Sequence, residues 1–483
     1  MHETDRYPPQ STQLTTTLPL KMSSFHSQLI VIMVPFPAQG HLNQLLHLSR
    51  LISSYNIPVH YVGTSLHNRQ ARTRVQGWDP KSISGIYFHE FNVPSFASPP
   101  PDPGSPLTHL QPCFDTAQHL RGPFATLLKN LSSVAKRVVV IHDSLMSSVV
   151  QDVGSVKNAE AYVFHSVSAF TVFLHLWEEM ERPFPISVDM LKDVPSLEGC
   201  FSAEFKNLIS NEYKCIKFDS GRIFNTCRFI EAPFLDLLGR QEISKGMKQW
   251  ALGPFNPVVT LSQNKCRSRH GCLEWLDKQA PDSVIYVSFG STTSLTENQI
   301  LELAVGLDKS NQKFIWVLRE ADKGDIFAEN DQISQIFSML PKGYEEKIKG
   351  KGMIVRDWAP QLEILEHSST AGFMSHCGWN SCMESITMRV PILAWPMHSD
   401  QPRNAVLLTK FLKIGLAVKN WASRKDLVSA ETIASAIQKL MESEEGSEIR
   451  KRAAKMGDDV RKSVADKGVS CLELDSFVAH ISR

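Results

Sequence analysis

Short, unbroken apolar runs constrain the fold of this chain most. The first run, 29–34 (LIVIMV), contains only apolar side chains, and 137–141 and 162–165 largely repeat the pattern. Such runs are typical of strands that are covered on both faces, as in parallel sheets. Residues 42–53 carry apolar side chains at helical spacing, and a further strand-like segment follows at 58–63. The sequence therefore predicts a βαβ unit, the opening of a doubly wound α/β domain.

The second half of the chain repeats this alternation of strand-like and helical segments. Strand-like runs at 283–291 and 314–318 flank a helix predicted over 296–308. Further helices are expected after Ser429 and again from about residue 447. We therefore expect a second α/β domain.

A break near the middle of the chain separates the two halves. The segment 250–257 (WALGPFNP) interrupts the alternation, and a polar, basic run follows it. A chain of 483 residues is long for one domain, so two are expected. The predicted division is a disordered tail over 1–27, an N-terminal domain over 28–252, a linker over 253–270, and a C-terminal domain over 271–483 whose last helix can pack back on the N-terminal domain.

The composition excludes several classes of function. Lys and Arg number 51 against 50 Asp and Glu, so no excess of charge attracts nucleic acid or acidic membranes. The nine cysteines are scattered without a CxxC pair, which suits a reducing cytosol. Residues 1–27 lack the apolar centre of a signal peptide, and no apolar run approaches the roughly 20 residues of a membrane helix. We expect a cytoplasmic monomer that does not insert into membranes, with Met22 as an alternative start.

The loop after the first predicted strand, 35–41, argues against a nicotinamide-dependent enzyme. It holds a single glycine, so the dinucleotide-binding pattern G-x-G-x-x-G is absent. Two other segments are candidates for binding. The proline-rich segment 92–112 is irregular, and long loops at this edge of an α/β sheet usually carry function. The aromatic segment 170–180 fits either a pocket wall or the core, and the core is favoured.

One continuous stretch, 358–401, is dense in groups that can bind a polar ligand. Trp358 lies in a loop stiffened by Pro360, where its flat ring can stack on a base. A strand-like run, 370–375, then leads through a tight turn, 376–381, into a helix predicted to begin at Cys382. Free N–H groups at such a helix start favour an anion, phosphate above all.

Side chains of the same stretch supply the remaining groups in chain order. Donors for an anion lie at the helix start, and a carboxylate suited to a ribose diol follows one helical turn later. Groups suited to sugar hydroxyls end the stretch. The residues concerned are His376, Asn380 and Ser381 for the anion, Glu384 for the ribose, and Asp400 and Gln401 for the sugar.

A structural alternative exists for several of these residues. Ser381 and Glu384 have the spacing of a capping box, which many helices use without any ligand. Trp358, Trp379 and Trp395 would also fit in a hydrophobic core. Taken one at a time, these residues favour the structural interpretation.

Taken as a whole, the 358–401 stretch resembles the signature box of the plant UDP-dependent glycosyltransferases. W-A-P-Q opens it, H-C-G-W-N-S and a glutamate lie in the middle, and D-Q closes it. The resemblance extends from about residue 28 to the end of the chain. Within the family, the chain is most similar to the zeatin O-glucosyltransferase group. The family implies a GT-B fold, in which two doubly wound, Rossmann-like domains face each other across a cleft, the first binding the acceptor and the second the UDP-sugar. The closer match is carried by 35–52, 57–64, 142–153, 250–257, 319–330 and 397–410.

The resemblance also implies a role for each residue of the stretch. Trp358 would stack on uracil, with the Ala359 backbone and Gln361 beside it, and Glu384 would bind the ribose. UDP-glucose is the implied donor substrate, and neither a metal ion nor a further cofactor is implied. The remaining roles fall to His376, Asn380, Ser381 and Ser291 at the diphosphate, and to Trp379, Asp400 and Gln401 at the sugar.

Two residues outside the stretch are candidates for catalysis. His41 is predicted at a helix start after the first strand, where it can remove a proton from the acceptor as a general base. The positive end of the helix is expected to lower the pKa of His41 and keep the imidazole neutral. Asp143 ends another strand of the same sheet and can hold the second ring nitrogen. The family assigns the same roles to these two positions.

These observations together predict an inverting UDP-glucose-dependent O-glucosyltransferase that acts on a small hydroxylated acceptor. A zeatin-type cytokinin is the first expectation, and a flavonoid, isoflavonoid or other phenol is the second. The acceptor wall is expected around Phe36, 92–112 and 170–177. Xylose stays open as the sugar. The alternative from another class is an inactive protein that binds a nucleotide sugar or hormone, which the presence of His41 and Asp143 disfavours.

Overall fold

The computed structural model of the chain describes residues 28–102, 104, 107–186, 192, 194–216, 219–259, 269–319, 321–322, 326 and 339–483. The predicted N-terminal tail, 1–27, and the alternative start at Met22 lie outside these residues. Residues 260–268 of the predicted linker lie outside them as well.

The N-terminal half contains a parallel sheet of seven strands in the order β3-β2-β1-β4-β5-β6-β7. β1 pairs with β4 along its whole length, although the chain between them also forms the two strands on the other side of β1. The strand order reverses at this point, and in doubly wound sheets ligands bind at the carboxyl ends of the strands there. The strands are β1 Leu29–Val34, β2 Val59–Thr64, β3 Ile86–Phe91, β4 Arg137–Asp143, β5 Ala159–His165, β6 Gly221–Phe224 and β7 Lys248–Ala251.

The C-terminal half contains a second parallel sheet, of six strands in the order β10-β9-β8-β11-β12-β13. The order reverses between β8 and β11, as it does between β1 and β4 in the first sheet. The prediction of two doubly wound α/β units is therefore confirmed. The strands are β8 Val284–Ser288, β9 Lys313–Val317, β10 Gly352–Val355, β11 Thr370–Ser375, β12 Ile392–Ala394 and β13 Gly415–Ala417.

Both faces of the first sheet are covered, as the unbroken apolar runs predicted. Along β1, Val31 and Met33 pack in one hydrophobic cluster, whereas Ile30 and Ile32 pack in another on the opposite face. Helices form the covering layers, and no helix within the described ranges is long and apolar enough to cross a membrane. The α-helices are Gln39–Ser53, Ser65–Arg74, Gln111–Gln118, Arg121–Val134, Ala169–Glu179, Ala203–Cys215, Arg228–Leu238, Gln241–Ser244, Gly271–Leu276, Glu297–Lys309, Tyr344–Lys347, Gln361–Glu366, Trp379–Thr387, Gln401–Val406, Ala430–Glu442, Glu444–Ser463 and Val469–Ile481.

The last helix, Val469–Ile481, returns to the N-terminal half. Phe477 and Ile481 are fully buried in the hydrophobic cluster of the first sheet. The ring of Phe477 meets Tyr162 and Trp250 edge to face, with centroids 5.5 and 5.2 Å apart. This packing ties the end of the chain to the half in which it begins.

Candidate active site

A cleft lies between the carboxyl ends of the two sheets. The segments that line it follow β1 to β5 in the first sheet and β8 to β12 in the second. Each residue predicted from the family to bind the donor lies on this wall, and so does His41. These residues are Ser291, Trp358, Ala359, Gln361, His376, Trp379, Asn380, Ser381, Glu384, Asp400 and Gln401.

His41 and Asp143 form a hydrogen-bonded pair on the N-terminal side of the cleft. His41 lies in the first turn of the helix Gln39–Ser53, and Asp143 is the last residue of the adjacent strand β4. Nδ1 of His41 is 2.7 Å from Oδ2 of Asp143, and because a carboxylate only accepts, Nδ1 carries the proton. The Asp143 side chain is fully buried, whereas that of His41 is 23% exposed. Nε2 is therefore the ring nitrogen left for an acceptor hydroxyl.

The expected direction of the His41 pKa is wrong. Burial lowers the pKa of the ring, but the charge of Asp143, the hydrogen bond to Asp143 and the charge of Asp400 raise it, and the net pKa lies above the ordinary value. The charge and hydrogen bond of Asp143, together with the charge of Asp400, therefore outweigh burial, whereas the expectation considered only the helix start. His41 is a stronger base than an isolated imidazole.

A second His–Asp pair lies next to the first but does not line the cleft. Nε2 of His142 is 3.0 Å from Oδ1 of Asp219, and Nδ1 of His142 is 2.9 Å from the Asp143 carbonyl oxygen. His142 is fully buried. The adjacent His142 therefore does not compete with His41 for the Asp143 carboxylate.

The helix of the 358–401 stretch begins earlier than predicted. Its bounds are Trp379–Thr387, because Cys377 adopts a left-handed φ of 65° and Gly378 is the N-cap. Ser381 therefore lies inside the first turn, and no side chain caps the helix. The capping-box interpretation of Ser381 and Glu384 is wrong, and their side chains are available for other contacts.

Gln361 connects Ser381 and Glu384 at the wall of the cleft. Its Nε2 donates to Ser381 Oγ at 3.1 Å and to Glu384 Oε2 at 2.6 Å, and the Tyr286 hydroxyl donates to its Oε1 at 3.3 Å. Burial raises the pKa of Glu384 to about 7, although the hydrogen bond from Gln361 lowers it. Near neutral pH the carboxyl group is therefore only partly ionised.

His376 is held between two glycines. A Cβ atom at either Gly290 or Gly378 would lie 2.5 Å from Nε2 of the ring, so only glycine fits at both positions. Burial lowers the pKa of His376 to about 4, which makes the ring neutral near pH 7. Its Nδ1 is buried without a hydrogen-bond partner among the described residues. An unpaired buried polar atom on a cleft wall is a candidate contact for a ligand.

Asp400 and Gln401 are fixed by local hydrogen bonds. Asn404 Nδ2 donates to Asp400 Oδ2 at 2.7 Å, and Gln401 Oε1 accepts from the backbone N–H groups of Met397 and His398 at 2.9 and 3.0 Å. Burial raises the pKa of Asp400, with the Asn404 hydrogen bond acting in the opposite direction. Both side chains are thus oriented before any ligand arrives.

The three tryptophans of the stretch have different surroundings. Trp395 is fully buried, and Trp379 is 3% exposed with its indole N–H donated to the Asn225 carbonyl at 2.9 Å. The core interpretation therefore holds for Trp395, while Trp379 combines core packing with a place on the cleft wall. Trp358 is partly exposed in the cleft. Next to Trp379, Asn380 Nδ2 donates to the Gly40 carbonyl at 2.7 Å, which brings His41 and the stretch together.

The N-terminal wall of the cleft differs in part from the prediction. Phe36 and the end of the proline-rich segment, Leu107 and Leu110, line it as expected. The segment 170–177 does not, because it forms a helix whose aromatic rings pack in the core, with Phe170 and Phe234 centroids 4.6 Å apart. The apolar residues that complete this wall, Phe114, Leu145 and Phe205, were not predicted.

The sequence also did not predict three polar residues that line the cleft, which are Arg74, Gln76 and Arg319. A single arginine or glutamine in a helix or loop gives no local signal of a ligand. No cluster of His, Cys, Asp and Glu that could hold a metal ion occurs in the part of the chain that the structure describes.

Comparison with known proteins is consistent with this cleft. Residues 27–257 match the family model "Glycosyltransferase, N-terminal domain", and 250–451 match "UDP-glucoronosyl and UDP-glucosyl transferase". The chain is 55% identical over 458 residues to the zeatin O-glucosyltransferase of Phaseolus lunatus, covering 95% of this chain and 98% of that protein. It is 53% identical over 458 residues to the zeatin O-xylosyltransferase of Phaseolus vulgaris, covering 95% and 99%.

Solved structures share the fold. UGT2 of Phytolacca americana, complexed with UDP-2fluoro-glucose and pterostilbene, aligns with a TM-score of 0.74 at 24% identity and covers 95% of this chain and all of that one. At this identity the likeness concerns the fold, which is two Rossmann-like domains across a cleft.

Proposed function

Because the chain belongs to the plant family of UDP-glycosyltransferases, which transfer sugars, we propose that it moves glucose from UDP-glucose to a hydroxyl group of a zeatin-type cytokinin, with inversion at the anomeric carbon. The observation that carries the proposal is the position of the His41–Asp143 pair, which shares one cleft with the 358–401 stretch. A base and a set of donor-binding groups are thereby brought together from two halves of the chain.

In the proposed reaction, Nε2 of His41 takes the proton of the acceptor hydroxyl. The acceptor oxygen then attacks the anomeric carbon, and the bond from that carbon to the diphosphate oxygen breaks, with its electron pair leaving on UDP. One displacement inverts the configuration, so an α-linked donor gives a β-glycoside. The carboxylate of Asp143 stabilises the imidazolium that forms.

In the proposed reaction, the diphosphate leaving group binds at the start of the helix Trp379–Thr387. The free N–H groups there, with Asn380 and Ser381, stabilise the negative charge that grows as the bond breaks. His376, which is neutral near pH 7, contributes hydrogen bonding through its unpaired Nδ1 rather than a positive charge. In this proposal these groups stabilise the charge on the diphosphate without a metal ion.

The proposed acceptor and sugar are based on the names of the relatives. Two proteins more than 50% identical to this chain are named for zeatin, one as a glucosyltransferase and the other as a xylosyltransferase. We propose glucose because Gln401 ends the stretch, and glutamine is the family's usual residue at that position in enzymes that use glucose. The apolar wall formed by Phe36, Phe114 and Phe205 suits a planar, largely apolar acceptor.

Product analysis by mass spectrometry tests this proposal. The full chain is incubated with UDP-glucose or UDP-xylose and a pool of trans-zeatin, cis-zeatin, dihydrozeatin, isoflavones and simple phenols. We expect a gain of one hexose on a zeatin. A gain of one pentose instead would change the donor, a product only with phenols would overturn the cytokinin assignment, and UDP binding without any product would favour an inactive binding protein.

The pKa of Glu384 leads to a prediction for donor binding. If the ribose hydroxyls donate to this carboxylate, binding requires its ionised form, so affinity for UDP-glucose should fall as the pH drops below about 7. The affinity can fall by at most about tenfold per pH unit. Isothermal titration calorimetry between pH 5.5 and 8.5 measures it, and UDP-glucose is used because its diphosphate has no terminal phosphate to titrate there. Glu384→Gln should bind more weakly at pH 8.5 and without this pH dependence, and the same slope in both proteins would contradict the assignment.

A further inference from the structure

The N-terminal half reaches the end of the cleft where Trp358 lies. Arg74 is the last residue of the helix Ser65–Arg74, and Gln76 follows two residues later. Both line the cleft beside Trp358 and Ala359, the two residues that the family assigns to the nucleobase. The base end of the cleft is therefore built from both halves of the chain.

Arg74 is held against the Trp358 ring by a shared carboxylate. Its guanidinium carbon lies 4.1 Å from the indole centroid, a distance at which a cation is attracted to the ring. Its Nη1 and Nη2 donate to the two oxygens of Asp322 at 2.5 and 3.1 Å. Arg319 donates to the same carboxylate at 2.9 Å and lies 5.2 Å from the same ring. The Arg74 and Asp322 side chains are only 11% and 7% exposed, so the geometry is well shielded from water.

Gln76 holds the backbone that follows Trp358. Its Nε2 donates to the Ala359 carbonyl at 3.0 Å, and its Oε1 accepts from the Leu362 N–H at 2.8 Å. Two bonds from one side chain fix both the position and the direction of this short loop. The Ala359 carbonyl also accepts from the Gln361 N–H at 2.9 Å, so both of its lone pairs are used in holding the loop.

From these contacts we infer that Arg74 and Gln76 are positioning residues for the nucleobase of the donor, so that recognition of uracil depends on the N-terminal half as well. Arg74 restricts the orientation of the Trp358 ring, and Gln76 restricts the Ala359 backbone. Both are set before the nucleotide binds, so less binding energy is spent on ordering them. The inference rests on the proposed use of a UDP-sugar, and it extends the base site to residues that the family signature does not contain.

The test compares Arg74→Ala and Gln76→Ala with a matched control, Arg72→Ala. Arg72 lies in the same helix but pairs with Glu90 at 3.1 Å, has a side chain that is 39% exposed, and is absent from the cleft wall. Titration calorimetry gives the Kd of UDP and ADP for each protein, and initial rates give kcat and KM for UDP-glucose. We expect the Kd of UDP to rise about tenfold in each test variant, which corresponds to 1.4 kcal/mol. The Kd of ADP should change less, the preference for UDP over ADP should fall, and kcat at saturating donor should be retained.

Each other outcome decides against the inference. An unchanged Kd would show that neither residue positions the base, and tighter binding by Arg74→Ala would make Arg74 a group that the base must displace. Equal losses for UDP and ADP would indicate general damage, which the melting temperature and the Arg72→Ala control would show independently. If the unaltered protein fails to bind UDP, the proposed donor is wrong, whereas normal binding by the unaltered protein and both variants contradicts this inference alone.

Discussion

Replacing His41 with alanine is expected to lower kcat by about 10²–10⁴-fold, the range that a well-placed general base contributes. The side chain supplies the only nitrogen of the His41–Asp143 pair that faces the cleft, since Nδ1 is bonded to Asp143 at 2.7 Å. Without it the acceptor must attack as a neutral hydroxyl. The affinity for UDP should hardly change, because the residues that the family assigns to UDP lie in the C-terminal half, and Arg74 and Gln76 act at the base end of the cleft.

Initial rates with UDP-glucose and the best acceptor measure the loss, and calorimetry with UDP measures donor affinity in the same preparation. His119→Ala is a suitable control, because His119 also lies in the N-terminal half but is exposed and absent from the cleft wall. A His41→Ala protein that retains turnover would remove His41 as the base. A variant that also loses UDP binding would show that the substitution disturbs the donor site instead.

The strands that carry the cleft could be predicted because their signal is local. The expected runs at 29–34 and 370–375 coincide with β1 and β11. A strand buried on both faces is mostly apolar, and this leaves a short run in the sequence, although Thr370 and Ser375 at the ends of β11 are buried polar residues. The start of the following helix could not be predicted, since it depends on the left-handed conformation of Cys377, which is unusual for a residue with a side chain.

The pKa of His41 illustrates a second limit. The sequence contains two influences of opposite sign, a helix start that lowers the pKa and a partner carboxylate that raises it, but the expectation depended on the first alone. Which one prevails depends on the distance from His41 to Asp143, and this distance follows from the pairing of β1 with β4 across about 100 residues of chain. The sequence indicates both groups but contains no measure of their separation.

Contacts between the two halves are the least accessible to sequence reasoning. Arg74 and Gln76 are unremarkable in their own segment, and their partners Asp322 and Ala359 lie in the other half of the chain. The acceptor-wall prediction for 170–177 is wrong for a related reason, whereas the core interpretation, which was favoured, is confirmed. An aromatic composition fits both a pocket and a core, and the packing of Phe170 against Phe234 decides between them.

Replacing Asp143 with asparagine is expected to reduce kcat by about 10²–10⁴-fold although no volume is lost; the same change in a Ser-His-Asp triad costs about 10⁴. Oδ1 of Asp143 accepts from the Leu145 N–H at 3.0 Å, while Oδ2 faces His41. An asparagine that keeps its oxygen toward Leu145 must turn its amide N–H toward Nδ1 of His41. The imidazole then carries its proton on Nε2, the nitrogen that has to accept one from the substrate.

The pH profile separates this role from a general loss of structure. His41 must be neutral to act, so kcat/KM should rise with pH through its raised pKa, above the ordinary imidazole value of 6.5. In Asp143→Asn the charge that raises this pKa is gone and the burial that lowers it remains, so the acid limb should move to lower pH while the plateau falls. Asp219→Asn is the matched control, because it alters the neighbouring His142–Asp219 pair, which does not line the cleft. An acid limb that stays in place in Asp143→Asn, or moves equally in Asp219→Asn, would show that Asp143 does not tune the base.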